Sequence, residues 1–314
     1  MLVYKDHLFN NIILNPYNKG RRKLKVITAY ASPAFLHHVL YGLNEIEIEM
    51  YIGMTKYQPI TVWDHKEYLK MASETNRLSV NYFYGERPVH SKIIYWEQEG
   101  LFASELAFVG SANFTRNGYA NYSEIMAEAD SIEIGNIFND IGEYIDFKHP
   151  NIEEYITFTY QSDLRSSEQE GSGLGKIVKE KEYKHFDFPL TIKSDRRKIH
   201  QKSGLNWGQR PDRESNQAYI PIPKEVYTTD FFPDKKMQFN LITDDGESFT
   251  CVVAQENNKA LETPEDNSIL GKYFRKRLNV PLGSFVRVED LDRYGRHHVT
   301  IYKINNETYF MDFS

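Results

Sequence analysis

HSKIIYWE at residues 90–97, followed by GSANF at 110–114, is the stretch on which the reading of this chain turns. Both runs have the texture of β-strands, separated by a turn containing Gly100. Side chains two apart on a strand share a face, so His90 pairs with Lys92, and Ser111 with Asn113 on the neighbouring run. Four polar groups then converge. A histidine beside a lysine and an asparagine suits attack on a phosphodiester, with imidazole as nucleophile and the ammonium and carboxamide as donors to the charge that develops at phosphorus. That chemistry calls for no metal and no cofactor.

Working outward, KLKVITAYA from Lys23 reads as a strand, Pro33 to Leu43 as a helix, EIEMYIGM as a strand, Val62 to Ser73 as a helix and LSVNYFYG as a strand. Strands alternating with helices predict an α/β domain with a mixed, mostly parallel sheet and flanking helices. YSEIMAEA adds a strand after GSANF, and a helix from Ile132 to about Ile145 closes this half. Ser162 to Lys181, containing SSEQEGSGLG, is polar and rich in glycine and serine, which predicts a linker. Beyond it come the short strands AYIPIP, MQFNLIT, SFTCVVAQ, SFVRVEDL, HHVTIYKI and TYFMDF, with a hairpin signal in TDDGES and one amphipathic helix from about Glu265 to Leu278. The expected division is residues 1–165, a linker at 166–183, and a small all-β barrel or sandwich at 184–314.

The 314 residues suit two domains at the usual ~100–200 residues each, and 40% hydrophobic content excludes global disorder. The net charge of −6 hides an asymmetry: residues 184–314 carry 20 basic against 19 acidic residues, residues 1–183 carry 18 against 25. From Thr191 to Arg213 there are seven basic residues and two acidic ones. Such local stretches matter more to phosphate binding than the net charge. The lone Cys251 cannot form an intrachain disulfide, the opening MLVYKDHLF has no apolar signal character, and no run approaches the ~18 apolar residues of a membrane span. These features predict a cytoplasmic protein with no membrane role. His37 and His38 fall on an apolar helix, and His297 and His298 lack ligand-spaced partners, so no metal site is expected.

The H-x-K and G-S-x-N pair, with NFTRNGYANYSE continuing it, resembles the signature of the phospholipase D superfamily. Glu97 stands where that signature usually has an aspartate, and Asn121 and Glu124 are spaced N-x-x-E where N-x-E is commoner. The resemblance implies His90 as nucleophile, Lys92 and Asn113 as holders of the phosphoryl oxygens, Ser111 hydrogen-bonded within the site, and Glu124 as the carboxylate that orients the imidazole. It also implies two such sets facing one another. The chain has one complete set, because His200 and Lys202 spell H-x-K with no G-S-x-N after them. A homodimer through the N-terminal domain, with one composite site, is the expectation.

GLNWGQRPDRESNQAYIPIPKEV, DNSILGKYFRKRL and YGRHHVTIYKI resemble the C-terminal domain of NgoFVII-type restriction endonucleases, a B3-like pseudobarrel similar to the binding domain of BfiI. This implies double-stranded DNA as partner, gripped by two loops in the major groove. The basic stretch and the first loop offer Arg196, Arg197, Lys198, Lys202, Asn206, Trp207, Gln209, Arg210 and Arg213. The second loop offers Asn257, Asn258 and Lys259, and the helix Lys272 and Arg275. The implied function is that of a metal-independent type II restriction endonuclease working through a phosphohistidine, opposite a DNA methyltransferase that acts on the same site. A lipid phosphodiesterase or transferase, or a DNA-binding regulator with an inactive nuclease half, are the competing classes.

Overall fold

The computed structural model describes residues 2–98, 104–159, 183–192, 195–234 and 237–314. The turn at Gly100 and the expected linker, apart from Tyr183, lie outside the described residues. The chain divides into two compact units, Met1–Ser166 and Ser167–Ser314.

The first unit is built on eight strands: β1 (Val3–Tyr4), β2 (Lys23–Thr28), β3 (Glu47–Ile52), β4 (Leu78–Phe83), β5 (Ile93–Trp96), β6 (Leu106–Gly110), β7 (Met126–Ala129) and β8 (Tyr144–Asp146). They lie in the order β1-β7-β6-β5-β2-β3-β4-β8. Helix Pro33–Gly42 crosses from β2 to β3, and helix Val62–Thr75 from β3 to β4. Each starts on a capping hydroxyl, Ser32 Oγ accepting from Phe35 N and Thr61 Oγ1 from Asp64 N. These crossovers make β2, β3 and β4 parallel, and every other pair in the sheet is antiparallel. The expectation of a mostly parallel sheet is therefore corrected. The two helix crossovers account for the parallel pairs, whereas β5, β6 and β7 pair in sequence order as an antiparallel meander.

Leu24, Val26, Met50 and Val80 bury one face of this sheet against Phe35, Leu36, Val39, Tyr68 and Met71 of the two helices. At about 1.5–3 kcal/mol for each large apolar side chain, this layer holds the strand ends in place. A smaller core of Ile27, Tyr51, Ile93 and Tyr95 lies on the other face with Ile134 and Phe138 of helix Ser131–Asn139. That helix stops at Asn139 instead of running to Ile145. Asp140 leaves the helical region, Glu143 takes φ +43°, and Tyr144–Asp146 pairs with the edge of β4.

The second unit is a seven-stranded sheet of β9 (His185–Pro189), β10 (Ile220–Pro221), β11 (Gln238–Thr243), β12 (Ser248–Ala254), β13 (Ala260–Glu262), β14 (His298–Lys303) and β15 (Thr308–Asp312). The order is β10-β13-β12-β11-β15-β14-β9, and the edge strands β9 and β10 approach each other, so the sheet nearly closes into a barrel. All pairs are antiparallel except β11 with β15. The hairpin in TDDGES is present: Gly246 at φ +82° sits in the turn and donates to Thr243 O at 3.0 Å. Helix Ser268–Arg277 packs Leu270 and Phe274 into the barrel core with Phe239, Leu241, Val253 and Ile301.

SFVRVEDL, expected as a strand, instead leads into helix Val288–Tyr294. Its alternation of apolar and polar residues is overruled by a cap, in which Arg287 N donates to Asp290 Oδ2 at 2.8 Å, and Gly295 at φ +91° ends the helix. Strands β9 and β13 were not anticipated.

Candidate active site and nucleic-acid interface

β5 begins at Ile93 and β6 ends at Gly110, so His90, Lys92, Ser111 and Asn113 stand just beyond the strand ends rather than within the strands as expected. Antiparallel pairing still brings them together. Ile93 lies opposite Val109, and Gly110 N donates to Lys92 O at 3.2 Å, so the start of one run meets the finish of the other.

Lys92 is buried while His90 is exposed. The Lys92 ammonium lies 2.8 Å from His90 Nδ1 and donates to His90 O at 2.7 Å. Burial holds its pKa below that of an ordinary lysine, and the charge of Glu124 pulls the other way. The ring of Tyr30 stands edge-on to the imidazole at 6.2 Å.

Asn113 is held by its oxygen. Oδ1 accepts from Tyr30 N at 3.3 Å and touches the Thr28 hydroxyl at 3.4 Å. Among the described residues nothing accepts from its Nδ2, which leaves that end as a donor for an anion. Gly118 packs against the Asn113 backbone so closely that a Cβ there would fall 2.2 Å from Asn113 O.

Ser111 donates its hydroxyl to the Glu124 carboxylate and accepts from Ile125 N at 3.1 Å. Glu124 thus meets Ser111, with no hydrogen bond to His90 among the described residues, while its charge reaches Lys92. Glu97 is remote from this cluster: it lies at the far end of β5, paired with Lys25 at 2.7 Å. The sequence reading did not single out Thr28, which joins the site from the end of β2 and carries no motif that would have flagged it.

In the second unit the expected DNA contacts separate into two groups. Arg196, Arg197, Lys198, Lys202, Arg210 and Arg213 are exposed along one stretch. Lys198 pairs with Asp195 at 3.0 Å, Arg210 reaches Lys202 O at 2.7 Å, and Arg213 lies 3.9 Å over the ring of Trp207. Lys259 is exposed, Asn258 is half-buried at φ +56°, and Lys272 is exposed beside Asp266 at 3.7 Å. The side chain of Asn257 lies outside the description.

Asn206 and Arg275 are corrections. Both are 0% exposed. Asn206 Nδ2 donates to His200 O at 3.0 Å and Val286 O at 2.7 Å, and its Oδ1 accepts from Val286 N at 2.8 Å. Arg275 donates to the carbonyls of Ser284, Gly271, Leu205 and Ser215. With both side chains buried and turned to backbone groups, neither presents surface to a base. Gln209, half-buried, donates to Ser215 O and Gly283 O, and Trp207 is buried against Tyr219. These four hold the first loop from beneath while its cations face outward. The two expected loops are neighbours, because β10 pairs with β13 and the charge of Arg213 reaches Glu262, to which Gln255 donates at 2.7 Å.

A sheet that presents His, Lys and Asn at one end, together with a nearly closed barrel, defines a nuclease of the phospholipase D type joined to a DNA-binding domain. Family models bear this out over most of the chain: residues 6–154 match the NgoFVII restriction endonuclease N-terminal PLD domain, and residues 178–305 the NgoFVII C-terminal B3-like DNA-binding domain. The chain belongs to the NgoFVII restriction endonuclease family and is an enzyme with DNA as its partner.

Among solved structures, polyphosphate kinase from Porphyromonas gingivalis is similar at 14% identity and a TM-score of 0.33, covering 57% of this chain and 28% of the kinase. NucT from Helicobacter pylori is similar at 11% identity and a TM-score of 0.30, covering 50% of this chain and 98% of NucT. No curated protein matches the chain. No helix among the described residues is long and apolar enough to cross a membrane.

Proposed function

We propose that this chain is a type II restriction endonuclease that hydrolyses duplex DNA through a phosphohistidine, without a metal ion. The imidazole of His90 attacks phosphorus, an N–P bond forms as the P–O bond to the leaving strand breaks, and a second histidine gives its proton to the departing oxygen. Water then attacks the phosphohistidine, losing its proton to that second histidine, and releases the phosphorylated end and free His90. The Lys92 ammonium and Asn113 Nδ2 hold the non-bridging oxygens, and Glu124 fixes the imidazole tautomer in the substrate-bound site.

The second histidine comes from the partner in a homodimer formed through the N-terminal unit, because the chain carries one H-x-K with its G-S-x-N. The barrel reads sequence with its exposed basic loop, and a methyltransferase acting on the same site protects the host DNA. The enzyme works in the cytoplasm, where that DNA lies. Residues 1–165 form the nuclease domain and 184–314 the reader.

The observation that carries this reading is the buried Lys92 ammonium 2.8 Å from His90, beside an asparagine whose amide nitrogen is open to a ligand. The test is incubation of the purified protein with unmethylated phage DNA in EDTA, followed by mapping of the fragment ends. Discrete, sequence-matched ends are expected, and strict dependence on Mg²⁺ would refute the phosphohistidine route.

A further inference from the structure

We infer that Thr28 is a positioning residue for the phosphodiesterase site, acting through Asn113; the inference rests on the nuclease reading above. Thr28 closes β2 and is 1% exposed, so its hydroxyl has only protein to bond with. Its proton goes to Tyr30 O at 2.7 Å, and its oxygen accepts from Phe114 N at 2.9 Å. One hydroxyl thereby fixes the chain on both sides of the contact that matters, the 3.3 Å bond from Tyr30 N to Asn113 Oδ1.

The main chain reinforces the clasp. Ser32 N donates to Phe114 O at 3.2 Å, and Ala31 bridges to Phe114 in parallel. An asparagine side chain can turn over, presenting oxygen where its nitrogen stood. An anion at the site is stabilised by the nitrogen and repelled by the oxygen. Anchoring Oδ1 to a backbone N–H selects the orientation in which Nδ2 faces the ligand, and the Thr28 hydroxyl places that N–H. The pairing of Thr28 with Asn113 spans 85 residues of sequence, and nothing local in the chain would supply it otherwise.

Without the hydroxyl, Tyr30 N and the Phe114 backbone are free to drift, and the Asn113 amide loses its preferred orientation. A misplacement on the order of 1 Å can cost about a hundredfold in rate, so kcat should fall between about ten- and a hundredfold while KM for DNA stays within about twofold.

The experiment compares Thr28→Val and Thr28→Ala, which lack the hydroxyl, with Thr28→Ser, which keeps it. Two substrates are used, duplex DNA and the simple diester bis(p-nitrophenyl) phosphate, and the melting of each variant is recorded. The serine variant should hold wild-type kcat and both hydroxyl-free variants should lose it. Asn113→Ala alone and combined with Thr28→Val completes a double-mutant cycle, in which the Thr28 effect should vanish once Asn113 is gone.

Hydroxyl-free variants that cut at the wild-type rate, a serine variant as impaired as valine, or losses that simply multiply in the double variant would each overturn the role. If one hydroxyl-free variant does not fold, the other and the serine variant carry the comparison. If neither folds while the serine variant does, the hydroxyl is structural and the inference is overturned. A wild-type chain that cleaves the simple diester and leaves DNA intact refutes the DNA reading and leaves the Thr28 comparison standing. One that cleaves neither refutes both.

Discussion

Asn206→Leu separates a base-reading asparagine from a structural one. Leucine keeps the branched shape of the side chain and removes three hydrogen bonds: those from Nδ2 to His200 O and Val286 O, and that from Val286 N to Oδ1. His200 is exposed, so its carbonyl can turn to water. Val286 is 0% exposed, so its N–H and C=O are both left unpaired in the barrel interior. An orphaned buried polar group costs ~1–3 kcal/mol, which puts the loss at about 4 kcal/mol for the pair. Against the usual ~5–15 kcal/mol the barrel should stay folded at 25 °C. A unit of this size loses ~4 °C of Tm per kcal/mol, so its transition should fall by about 15 °C. Calorimetry on the full chain reads this directly, with the transition of the N-terminal unit as internal control. Specific DNA binding, measured well below the lowered transition, should change by less than about threefold. A variant that melts within 2 °C (roughly half a kcal/mol) of wild type and loses specific binding tenfold or more would refute the structural assignment and restore Asn206 as a reader.

His90→Ala should abolish cleavage and leave DNA affinity within about twofold, as read by gel shift beside a nicking assay, since the nucleophile belongs to the first unit and the barrel loops to the second. Mixing wild-type with His90→Ala chains should give heterodimers with little or no activity; retention of half the wild-type rate would disprove the composite site. The rate should decline on the alkaline side at a lower pH than an ordinary lysine would dictate, because burial favours the neutral amine of Lys92 and cleavage needs the ammonium. A pH profile flat to the normal lysine range would exclude Lys92 as the oxygen-holding cation. Replacing both Arg196 and Arg197 with alanine should flatten the plot of log affinity against log salt by up to about 2, at ~0.9 for each phosphate no longer neutralised. An unchanged slope would remove them from the DNA interface.

What the sequence conveyed well was local and short-range. H-x-K and G-S-x-N were legible because they flank adjacent strands, and antiparallel pairing brings the start of β5 to the end of β6 whatever the length of the turn between them. The crossover helices were legible for a similar reason: Ser32 with Pro33, and Thr61, mark their starts. Sheet direction was harder to read, because the alternation of β2, β3 and β4 with helices says nothing of how β5, β6 and β7 pair, and these run antiparallel. SFVRVEDL failed differently. Its two-residue alternation is genuine, but a single side-chain cap at Asp290 outweighs it.

The second unit shows why residue type alone could not identify the DNA contacts. Asparagine, glutamine and arginine read bases because they offer paired donors and acceptors, and the same capacity makes them suitable for pinning a loop that has no ladder of its own. Ser203 to Gln217 is such a loop: Gln209 and Arg275 donate to its Leu205 and Ser215 carbonyls, and Asn206 ties it to the backbone of Val286. Burial decides between the two uses, and burial is set by segments 70 or more residues away, at Val286 and in helix Ser268–Arg277. The exposed cations follow from this arrangement. Because neutral amides and one buried guanidinium hold the loop from within, Arg196, Arg197 and Lys202 keep their charges on the surface, and Arg210 and Arg213 stay exposed even as they reach Lys202 O and the Trp207 ring. Thr28 in the nuclease unit follows the same logic: a buried hydroxyl with no signature in the sequence fixes the backbone that holds Asn113 by its oxygen, so that its nitrogen faces the ligand.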